Sequence, residues 1–356
     1  MNRRHMMQTT MALGAFGAAG LAGGAQAAPR PLVPAEEVPH ELTFMQWPVT
    51  PEVYGDALWR EDVQSTIAAI ANTIAEFEPV VMLAGAAHHA RARRKLSRNV
   101  TLWDVPTDDL WCRDAGPITS MDATGQRAFQ HIAFNGWGNK QTHENDGKII
   151  PQLADRLGLP LIPTGLKGEA GGVEQDGHGM LIAHESSWVN DNRNPGLTRD
   201  EIGTRLLQAY GVDQILWSPG VWDEDITDYH IDSLARFTGP GRVLMNLPDQ
   251  PDPRDPFHMA ALDTHDMLKA AGLQIDVIPE PNKRRVKDPE FVASYVNFYV
   301  CNGAVIAPEF GDRSTDKIAR DTLARHYPGR EVVTLNTDAL GELGGGIHCA
   351  THELPA

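Results

Sequence analysis

The sequence predicts an α/β or α+β fold with short strands, because helical patterns alternate with short apolar runs along the chain. Between residues 56 and 78 apolar side chains recur every three or four positions, as on one face of a helix, and the apolar run PVVMLAG follows directly. Motifs that carry charged or reactive residues recur at a roughly regular interval along the chain, or at about twice that interval. This spacing hints at an ancient repeat that delivers one site residue from each unit.

The elements that follow continue this alternation. A threonine at position 198 with a glutamate three residues later is the signature of a helix N-terminus, and the Asn302-Gly303 pair between two apolar segments predicts a tight hairpin. In chain order, the predicted elements after PVVMLAG are the strand NVTLWDVP, a helix over 146–157, the helix that begins at Thr198, the strand QILWSP, a helix over 257–271, the strand LQIDVIP, the run SYVNFYVCNGAVIAPEF, a helix over 315–326 and the strand EVVTLN.

The N-terminal segment, 1–27, is predicted to be a secretory signal peptide. Arg3 and Arg4 precede an uncharged small and apolar run over 9–25, which ends in the cleavage-site pattern Ala-Gln-Ala. The run is too short and too rich in glycine and alanine for a membrane span, and the paired arginines favour the twin-arginine route. We therefore expect cleavage after Ala27, one catalytic domain over 28–356, export to the periplasm or outside the cell, and no stable membrane anchor.

Charge and cysteine content narrow the function further. Residues 1–27 contain two arginines and no acidic residue, so their removal takes the formal net charge from −16 to −18. This acidic balance argues against a nucleic-acid partner, and it suits either a cationic substrate or simple solubility. Three cysteines are an odd number for an exported protein, so at least one thiol is unpaired, and no pair has the spacing of a zinc site.

Four motifs carry the candidate chemistry: WCRDAGP, EAGGVEQDGHG, DITDYHIDSLARF and the tail GGGIHC. Asp114, Glu169 and His230 follow one another at nearly equal intervals, and the interval from His230 to Cys349 is about twice as long. Taken singly, each motif has a structural explanation: a turn with a local ion pair, a loop carboxylate, a core histidine or metal pair, and a buried inert thiol. Together, a thiol, a histidine and several carboxylates beside glycines suit attack by sulfur on the carbon of a guanidinium held by carboxylates.

Three of these motifs, WCRDAGP, DITDYHIDSLARF and GGGIHC, resemble the agmatine deiminase and Porphyromonas-type peptidylarginine deiminase family, as do FNGWGNK (134–140), the stretch around NRNPG (192–196) and SYVNFYVCNGAVIAPEF. The resemblance runs from about residue 41 to the end of the chain. It implies a five-bladed α/β propeller (pentein) with pseudo-fivefold symmetry, a site at the central end of the propeller, and neither metal nor organic cofactor.

The resemblance also implies a role for each matching residue. Cys349 matches the nucleophile, His230 the general acid and base, and Asp114 and Asp232 the carboxylates that bind the guanidinium. Glu169 matches the acid that supports the substrate and the histidine. Two aromatic residues in the same motifs, Trp111 and Tyr229, are further candidates for contact with the substrate.

The sequence departs from the family pattern at three positions. EAGG replaces the usual EGG, so Ala170 is expected to require a different backbone angle beside Glu169. Tyr229 replaces a common glycine and is expected to form an aromatic wall of the pocket, either narrowing it or stacking on the substrate. Cys112 replaces an apolar residue, and we expect it to lie close enough to Cys349 for oxidative inactivation.

The expected function is agmatine deimination, through a covalent S-amidino intermediate on cysteine, to N-carbamoylputrescine and ammonia in putrescine biosynthesis. Peptidyl-arginine is the alternative substrate, and export favours it. An amidinotransferase would share the intermediate, and a periplasmic binding protein for cations would use the carboxylates without chemistry. The sequence leaves the oligomeric state open, a homo-oligomer included.

Overall fold

The structure is a computed structural model that describes residues 30–356. The predicted signal peptide, residues 1–27, lies outside the described residues. Within residues 30–356 the strands form five separate sheets, one of four strands and four of three strands. The sheets mix parallel and antiparallel pairs and alternate with helices, so the predicted α/β class is confirmed.

Most elements are short, and several helices are single turns. The strands are β1 (His40–Gln46), β2 (Val80–Ala84), β3 (Val100–Asp104), β4 (Ile118–Met121), β5 (Arg127–Ala133), β6 (Leu161–Lys167), β7 (Val173–Gln175), β8 (Met180–His184), β9 (Gln214–Ser218), β10 (Ala235–Phe237), β11 (Arg242–Leu247), β12 (Gln274–Pro279), β13 (Tyr299–Cys301), β14 (Ala304–Glu309), β15 (Glu331–Asn336) and β16 (Thr351–Pro355). The α-helices are α1 (Pro51–Tyr54), α2 (Ala57–Ile74), α3 (Ala86–Ala92), α4 (Cys112–Ala115), α5 (Gly136–Asn139), α6 (Ile149–Leu157), α7 (Glu185–Trp188), α8 (Arg199–Tyr210), α9 (Pro256–Ala270), α10 (Arg313–His326) and α11 (Asp338–Gly341), and 3₁₀ turns cover Asp146–Lys148, Ala170–Gly172 and Ile231–Ser233.

One strand–strand–helix–strand unit recurs through the chain. In the sheet of β7, β8 and β9, the first two strands pair antiparallel, and α8 connects β8 to its parallel neighbour β9. The sheets β4-β5-β6, β10-β11-β12 and β13-β14-β15 repeat this pattern. In the remaining sheet, β16-β1-β2-β3, the C-terminal strand β16 takes the place of the antiparallel first strand. The regular spacing of the motifs corresponds to this unit, because the first strands of successive units begin at Ile118, Val173, Ala235, Tyr299 and Thr351.

Local sequence explains the main helices. Helix α2 begins where the Asp56 carboxylate accepts hydrogen bonds from the Leu58 and Trp59 amides, and its predicted apolar face is buried. Helix α8 begins with the predicted capping box of Thr198 and Glu201. It ends at a glycine in the left-handed conformation, as many helices do.

Burial decreases from the first strand of a unit to the third. Strands β10, β13 and β16 are buried at every position, whereas β6 and β12 are largely exposed. The first strands therefore lie in the interior and the third strands on the outside. Residues that immediately precede a first strand are thus placed at the interior end of their unit.

An N-terminal strap, residues 30–37, precedes β1 and crosses two units, that of β4-β5-β6 and that of β7-β8-β9. Leu32 pairs with Met121 at the edge of β4, and the Val33 amide donates to the Tyr210 carbonyl at 3.0 Å. The strap lies so close to its support that a Cβ on Gly211 would be 1.9 Å from the Pro31 oxygen. Only glycine fits at such a contact.

Among residues 30–356, no helix combines the length and the apolar character needed to cross a membrane.

Candidate active site

The five predicted site residues all lie just before the first strand of a unit. Asp114 is in α4 before β4, and Glu169 precedes the 3₁₀ turn that leads into β7. His230 and Asp232 flank Ile231 before β10, and Cys349 stands shortly before β16. Because each unit places this corner in the interior, the repeat brings these distant residues together.

The side chains form one buried cluster. His230 Nε2 lies 3.2 Å from Glu169 Oε2, and His230 Nδ1 lies 3.7 Å from Asp114 Oδ1. The Cys349 thiol donates to Asp232 Oδ2 with a sulfur–oxygen distance of 3.5 Å. Cys349 is the most exposed of the five residues at 9%, and the other four are more deeply buried. The structure therefore brings all five predicted catalytic residues together, and their roles remain proposals.

A glycine backbone passes through the centre of this cluster. The Gly171 amide donates to Asp114 Oδ1 at 3.2 Å. A Cβ on Gly171 would lie 2.7 Å from Asp114 Oδ1 and 2.8 Å from His230 Nδ1, closer than real Cβ contacts. Ala170, in contrast, begins a 3₁₀ turn and needs no left-handed backbone, so the extra methyl group in EAGG is accommodated.

Two glycines in the tail likewise allow neighbouring side chains to lie close to the backbone. A Cβ on Gly345 would lie 2.5 Å from the Trp111 ring, and a Cβ on Gly346 would lie 2.5 Å from Asn297 Oδ1. Asn297 precedes β13, so it is the contribution of the remaining unit to the site. Its amide nitrogen donates to Cys349 Sγ at 3.1 Å, and its amide oxygen accepts from the His348 backbone at 2.9 Å. Asn297 thus fixes the position of the thiol.

Burial and neighbouring charge set opposite protonation states in the cluster. Burial lowers the pKa of His230, but the carboxylates of Asp114 and Glu169 outweigh burial and raise it to about 9. Burial raises the pKa of Asp114 to about 6, with a further increase from Glu169. Near neutral pH the site therefore holds a protonated imidazole beside mostly ionised carboxylates.

Glu169 and Asp232 are kept ionised by cationic partners. Burial tends to raise the pKa of Glu169, but Arg193 and His230 together outweigh it and the net shift is downward. Burial likewise opposes ionisation of Asp232, but His348, His230 and Arg236 together outweigh it and lower its pKa. The Cys349 thiol has the opposite shift, because burial, then Asp232 and Asp114, raise its pKa well above the usual value. Without a bound cation the sulfur is therefore a neutral thiol.

One carboxylate oxygen in the cluster has no hydrogen-bond partner among the described residues. This atom is Asp232 Oδ1, which belongs to a fully buried side chain. An unpaired buried acceptor costs free energy, so such an atom at a site indicates a place for a donor from a ligand. A guanidinium supplies several planar N–H donors.

Comparison with known proteins identifies the family. The model of the family described as Porphyromonas-type peptidyl-arginine deiminase matches residues 32–355. The chain belongs to this family. An agmatine deiminase of Ectopseudomonas mendocina is 33% identical over 356 residues, which cover 91% of this chain and 95% of the relative. An agmatine deiminase of Stutzerimonas stutzeri is 33% identical over 365 residues, with the same coverage of 91% and 95%.

A solved structure shows that the fold is shared as well. The agmatine deiminase of Enterococcus faecalis is 25% identical to this chain and superposes with a TM-score of 0.84, covering 93% of this chain and 98% of that one. The resemblance inferred from the sequence motifs is therefore confirmed.

Two motifs that identified the deiminase family supply supporting residues without a role assigned from sequence. Arg193, in NRNPG, donates from Nε to both oxygens of Glu169 at 2.9 and 3.0 Å and from Nη1 to Asp228 at 2.6 Å. Trp137, in FNGWGNK, donates from Nε1 to Asp114 Oδ2 at 2.9 Å. The sequence motifs identified both segments. Only the structure shows that Arg193 binds Glu169 and Asp228 and that Trp137 binds Asp114.

The structure shows what Tyr229 packs against. Its ring stacks on His184 with centroids 4.7 Å apart and meets Phe257 at a steep angle with centroids 5.1 Å apart, and contact with a substrate stays a prediction. The φ angle of 66° explains why glycine is common at this position. Trp111, in contrast, lies against Gly345 beside the thiol, where contact with a substrate stays a prediction.

A backbone hydrogen bond next to Cys112 connects its segment to the site. The amide of Arg113, the next residue, donates to the Cys349 carbonyl at 3.0 Å. Cys112 is fully buried, and burial raises its thiol pKa well above the usual range. All three cysteines are free thiols. Oxidative inactivation through Cys112 stays a prediction, and a neutral buried thiol is a poor nucleophile for it.

Proposed function

We propose that the chain is an agmatine deiminase-like hydrolase that converts a guanidinium to a ureido group and releases ammonia. The observation that carries this proposal is the single buried cluster of thiol, imidazole and three carboxylates, in which Asp232 Oδ1 has no donor from residues 30–356. The relatives from Ectopseudomonas mendocina and Stutzerimonas stutzeri, both agmatine deiminases, support the choice of substrate.

Substrate binding adds a positive charge next to Asp114 and Asp232. Asp114 Oδ1 and Asp232 Oδ2 both lie near Gly171, at 2.7 and 3.2 Å from the place of a Cβ, and we propose that both carboxylates accept N–H donors from the guanidinium. Burial raises the pKa of the Cys349 thiol, and the same two carboxylates raise it further. A cation bound between them offsets their charge, so binding lowers the thiol pKa and allows the proton to leave to solvent. The reactive thiolate then forms only when there is a substrate to attack.

The first half of the reaction forms a covalent intermediate. The Cys349 thiolate attacks the guanidinium carbon and gives a neutral tetrahedral adduct. His230, protonated at neutral pH because its pKa is about 9, donates its proton to one amino group, which leaves as ammonia. The carbon is now an S-amidino cation bonded to sulfur, and His230 is neutral.

The second half consumes water. His230 removes a proton from a water molecule as its oxygen bonds to the amidino carbon, and the new tetrahedral adduct is neutral. Cleavage of the carbon–sulfur bond returns the thiolate, and loss of a proton from the product oxygen gives the ureido group. Glu169, held by Arg193 and 3.2 Å from His230 Nε2, keeps the imidazole oriented through both halves. No step requires a metal or an organic cofactor.

Peptidyl-arginine is the second candidate substrate. The predicted export signal and the description of the matching family favour it. Transfer of the amidino group to an amine, or cation binding without chemistry, would use the same carboxylates. Ammonia release on mixing with agmatine, free arginine and a blocked arginine peptide separates these functions. Agmatine is expected to release ammonia fastest, whereas binding of agmatine with no ammonia from any of the three would refute the hydrolase.

We also propose that the five units are arranged as the blades of a propeller around the site. Five repeats of one unit, buried first strands and a site residue at the same corner of each unit support this arrangement. Export through the signal peptide at 1–27 is likewise a proposal. N-terminal sequencing of the native protein should find a start near residue 28 and a location outside the cytoplasm, and an intact Met1 would contradict it.

A further inference from the structure

Two residues that the reaction steps above do not use lie directly behind Asp232. They are His348, which precedes Cys349 in the chain, and Glu36 in the N-terminal strap. His348 Nδ1 lies 2.7 Å from Asp232 Oδ2, and His348 Nε2 lies 2.9 Å from Glu36 Oε2. The three side chains are almost completely buried, with 4% exposed for His348, none for Asp232 and 10% for Glu36. They form a continuous carboxylate–imidazole–carboxylate series that ends beside the sulfur.

Glu36 is fixed in place by cations and by the backbone. Its Oε2 lies 3.1 Å from Arg113 Nη2 and 2.9 Å from Arg236 Nη2, and its Oε1 accepts from the Val300 amide at 2.9 Å. Burial opposes ionisation, but Arg236, His348 and Arg113 outweigh it and lower the pKa of Glu36 well below its usual value. Glu36 in the strap therefore places a negative charge beside His348, at the ring nitrogen that does not face Asp232.

The geometry of His348 favours a protonated ring. Each ring nitrogen faces a carboxylate oxygen that can only accept a hydrogen bond when ionised. Both contacts are satisfied only when both nitrogens carry hydrogen, which makes the ring a cation. Asp232 then has a cation on Oδ2, while Oδ1 stays without a partner and faces no competing donor among residues 30–356.

We propose that Glu36 and His348 are positioning residues that hold Asp232 ionised and oriented, with Oδ1 free for the guanidinium. The N-terminal strap is thereby part of the active site, although Glu36 is 312 residues from His348 in the chain. This inference rests on the proposed deiminase function for its kinetic test, and a second test below does not depend on turnover.

Other ionisable groups face the series of Asp232, His348 and Glu36, and they influence how it responds to pH. Those near Asp232 are His230, Arg236, Asp114 and Cys349. Those near His348 are Arg113, Glu174 and His352, and those near Glu36 are Arg113, Arg236, Glu37, Glu174 and Glu353. Replacing Glu36 by glutamine leaves all of these groups in place and changes one charge.

The direction of the pH effect follows from the sign of the pKa shift. His348 lowers the pKa of Asp232, so Asp232 is ionised in the wild type through the working pH range. In Glu36→Gln the ring loses the carboxylate that favours its charged form, and Asp232 loses a cation. The pKa of Asp232 then rises toward that of Asp114, so the acid limb of kcat/KM for agmatine, which Asp114 sets near pH 6, becomes steeper.

The kinetic test compares three single variants and one double variant with the wild type. Glu36→Gln is expected to raise KM for agmatine by about tenfold, more than it lowers kcat, and to make the acid limb steeper than in the wild type. Glu37→Gln is the matched control, because it changes the next carboxylate of the same strap while His348 Nε2 bonds Glu36. His348→Gln is expected to steepen the acid limb in the same way. Adding Glu36→Gln to His348→Gln should change KM no further, because Glu36 acts through the ring.

The second test measures alkylation of Cys349 by iodoacetamide, followed by mass spectrometry of the C-terminal peptide. Loss of positive charge at His348 should raise the thiol pKa and slow alkylation at pH 8.5 by at least about threefold in Glu36→Gln. Glu37→Gln should react like the wild type. KM and the shape of the acid limb do not depend on the fraction of protein that is folded. Alkylation of the buried Cys112 and Cys301 in the same samples reports any unfolded fraction.

The outcomes separate the inference from the proposed function. A wild type without turnover refutes the deiminase, and the alkylation rates still decide the role of Glu36. The inference is overturned if Glu36→Gln matches Glu37→Gln in both measurements. It is also overturned if the effects of Glu36→Gln persist undiminished in the His348→Gln background, because the residue would then act independently of the ring.

Discussion

Replacing Trp137 by phenylalanine tests how the site controls the ionisation of Asp114. Trp137 is 2% exposed and donates from Nε1 to Asp114 Oδ2 at 2.9 Å. Its φ of 53° is unusual for a bulky residue, and Gly136, Gly138 and Asn139 beside it also have positive φ. Backbone strain of this kind persists where the surrounding structure holds it, commonly at functional sites. Phenylalanine keeps an aromatic side chain next to Phe134, which meets Trp137 edge-on at 5.0 Å, and removes the donor together with one of the two fused rings.

The magnitude follows from the energy of one buried hydrogen bond to a charged acceptor. Such bonds contribute about 1.5–3 kcal/mol, and about 1.4 kcal/mol corresponds to one pKa unit. The pKa of Asp114 is already raised to about 6 by burial, with Glu169 adding to the increase. Without the Trp137 donor it should rise by roughly one to two units. The ionised fraction at pH 7 then falls from about nine-tenths to between about one-half and one-tenth.

The assay is ammonia release from agmatine as a function of pH. Because Asp114 must be ionised to bind the guanidinium, Trp137→Phe should lower kcat/KM at pH 7 by roughly two- to tenfold and recover as the pH approaches 8.5. Trp103→Phe is the control, because Trp103 lies on β3, where its ring packs on Phe44 and Arg156. An acid limb at the wild-type pH, or a loss of activity that is equal at every pH, would refute the reasoning.

The remaining predictions concern the nucleophile, the acid, the carboxylate and the central glycine. Cys349→Ser should abolish turnover and retain agmatine binding, and an adduct trapped during wild-type turnover should lie on the Cys349 peptide, not on those of Cys112 or Cys301. Activity should also fall as the pH rises through about 9, where His230 loses the proton it donates, and a wild type that stays fully active at pH 10 would contradict this assignment. Asp114→Asn should weaken agmatine binding by about 2–5 kcal/mol in calorimetry, and unchanged binding would exclude it as a guanidinium ligand. Gly171→Ala should inactivate the enzyme because its Cβ would meet Asp114 and His230, whereas Gly203→Ala in α8, where the nearest atom would be 3.6 Å away, should retain activity.

Local patterns predicted the five longest helices and missed many of the strands, including the long strands β1, β5 and β6. The apolar periodicity located α2, and the capping box located the start of α8. Strands β7 and β10 have three residues each, too few for any alternation to be recognised. Strand β16 is defined by its pairing with β1, which lies near the opposite end of the chain, and no local pattern reports such a pairing.

In the candidate site, too, local sequence patterns predicted some residues and missed those that depend on distant contacts. The residues expected from the motifs lie together, because short motifs keep a reactive side chain beside the glycine or turn that places it. The supporting residues are defined by contacts between segments far apart in sequence. Asn297 reaches Cys349 across 52 residues, and Glu36 reaches His348 across 312. Tyr229 shows the limit of a motif, since its left-handed backbone and the stack on His184 decide where the ring packs.

The three carboxylates of the site differ in how their charge is balanced. Arg193 pairs with Glu169, and His348 pairs with Asp232, so both have their own cation in the protein. Asp114 receives neutral N–H donors from Trp137 and Gly171, and its nearest cation, His230, lies 3.7 Å away and is closer to Glu169. Asp114 is therefore the carboxylate whose pKa burial raises to about 6, and the one with most to gain from an incoming guanidinium. A site in which two carboxylates are balanced and the third is not favours a ligand with one delocalised positive charge. Burial, then the charges of Asp232 and Asp114, raise the pKa of the nearby thiol. In the proposed mechanism the arriving guanidinium lowers that pKa, which links recognition of the substrate to activation of the nucleophile.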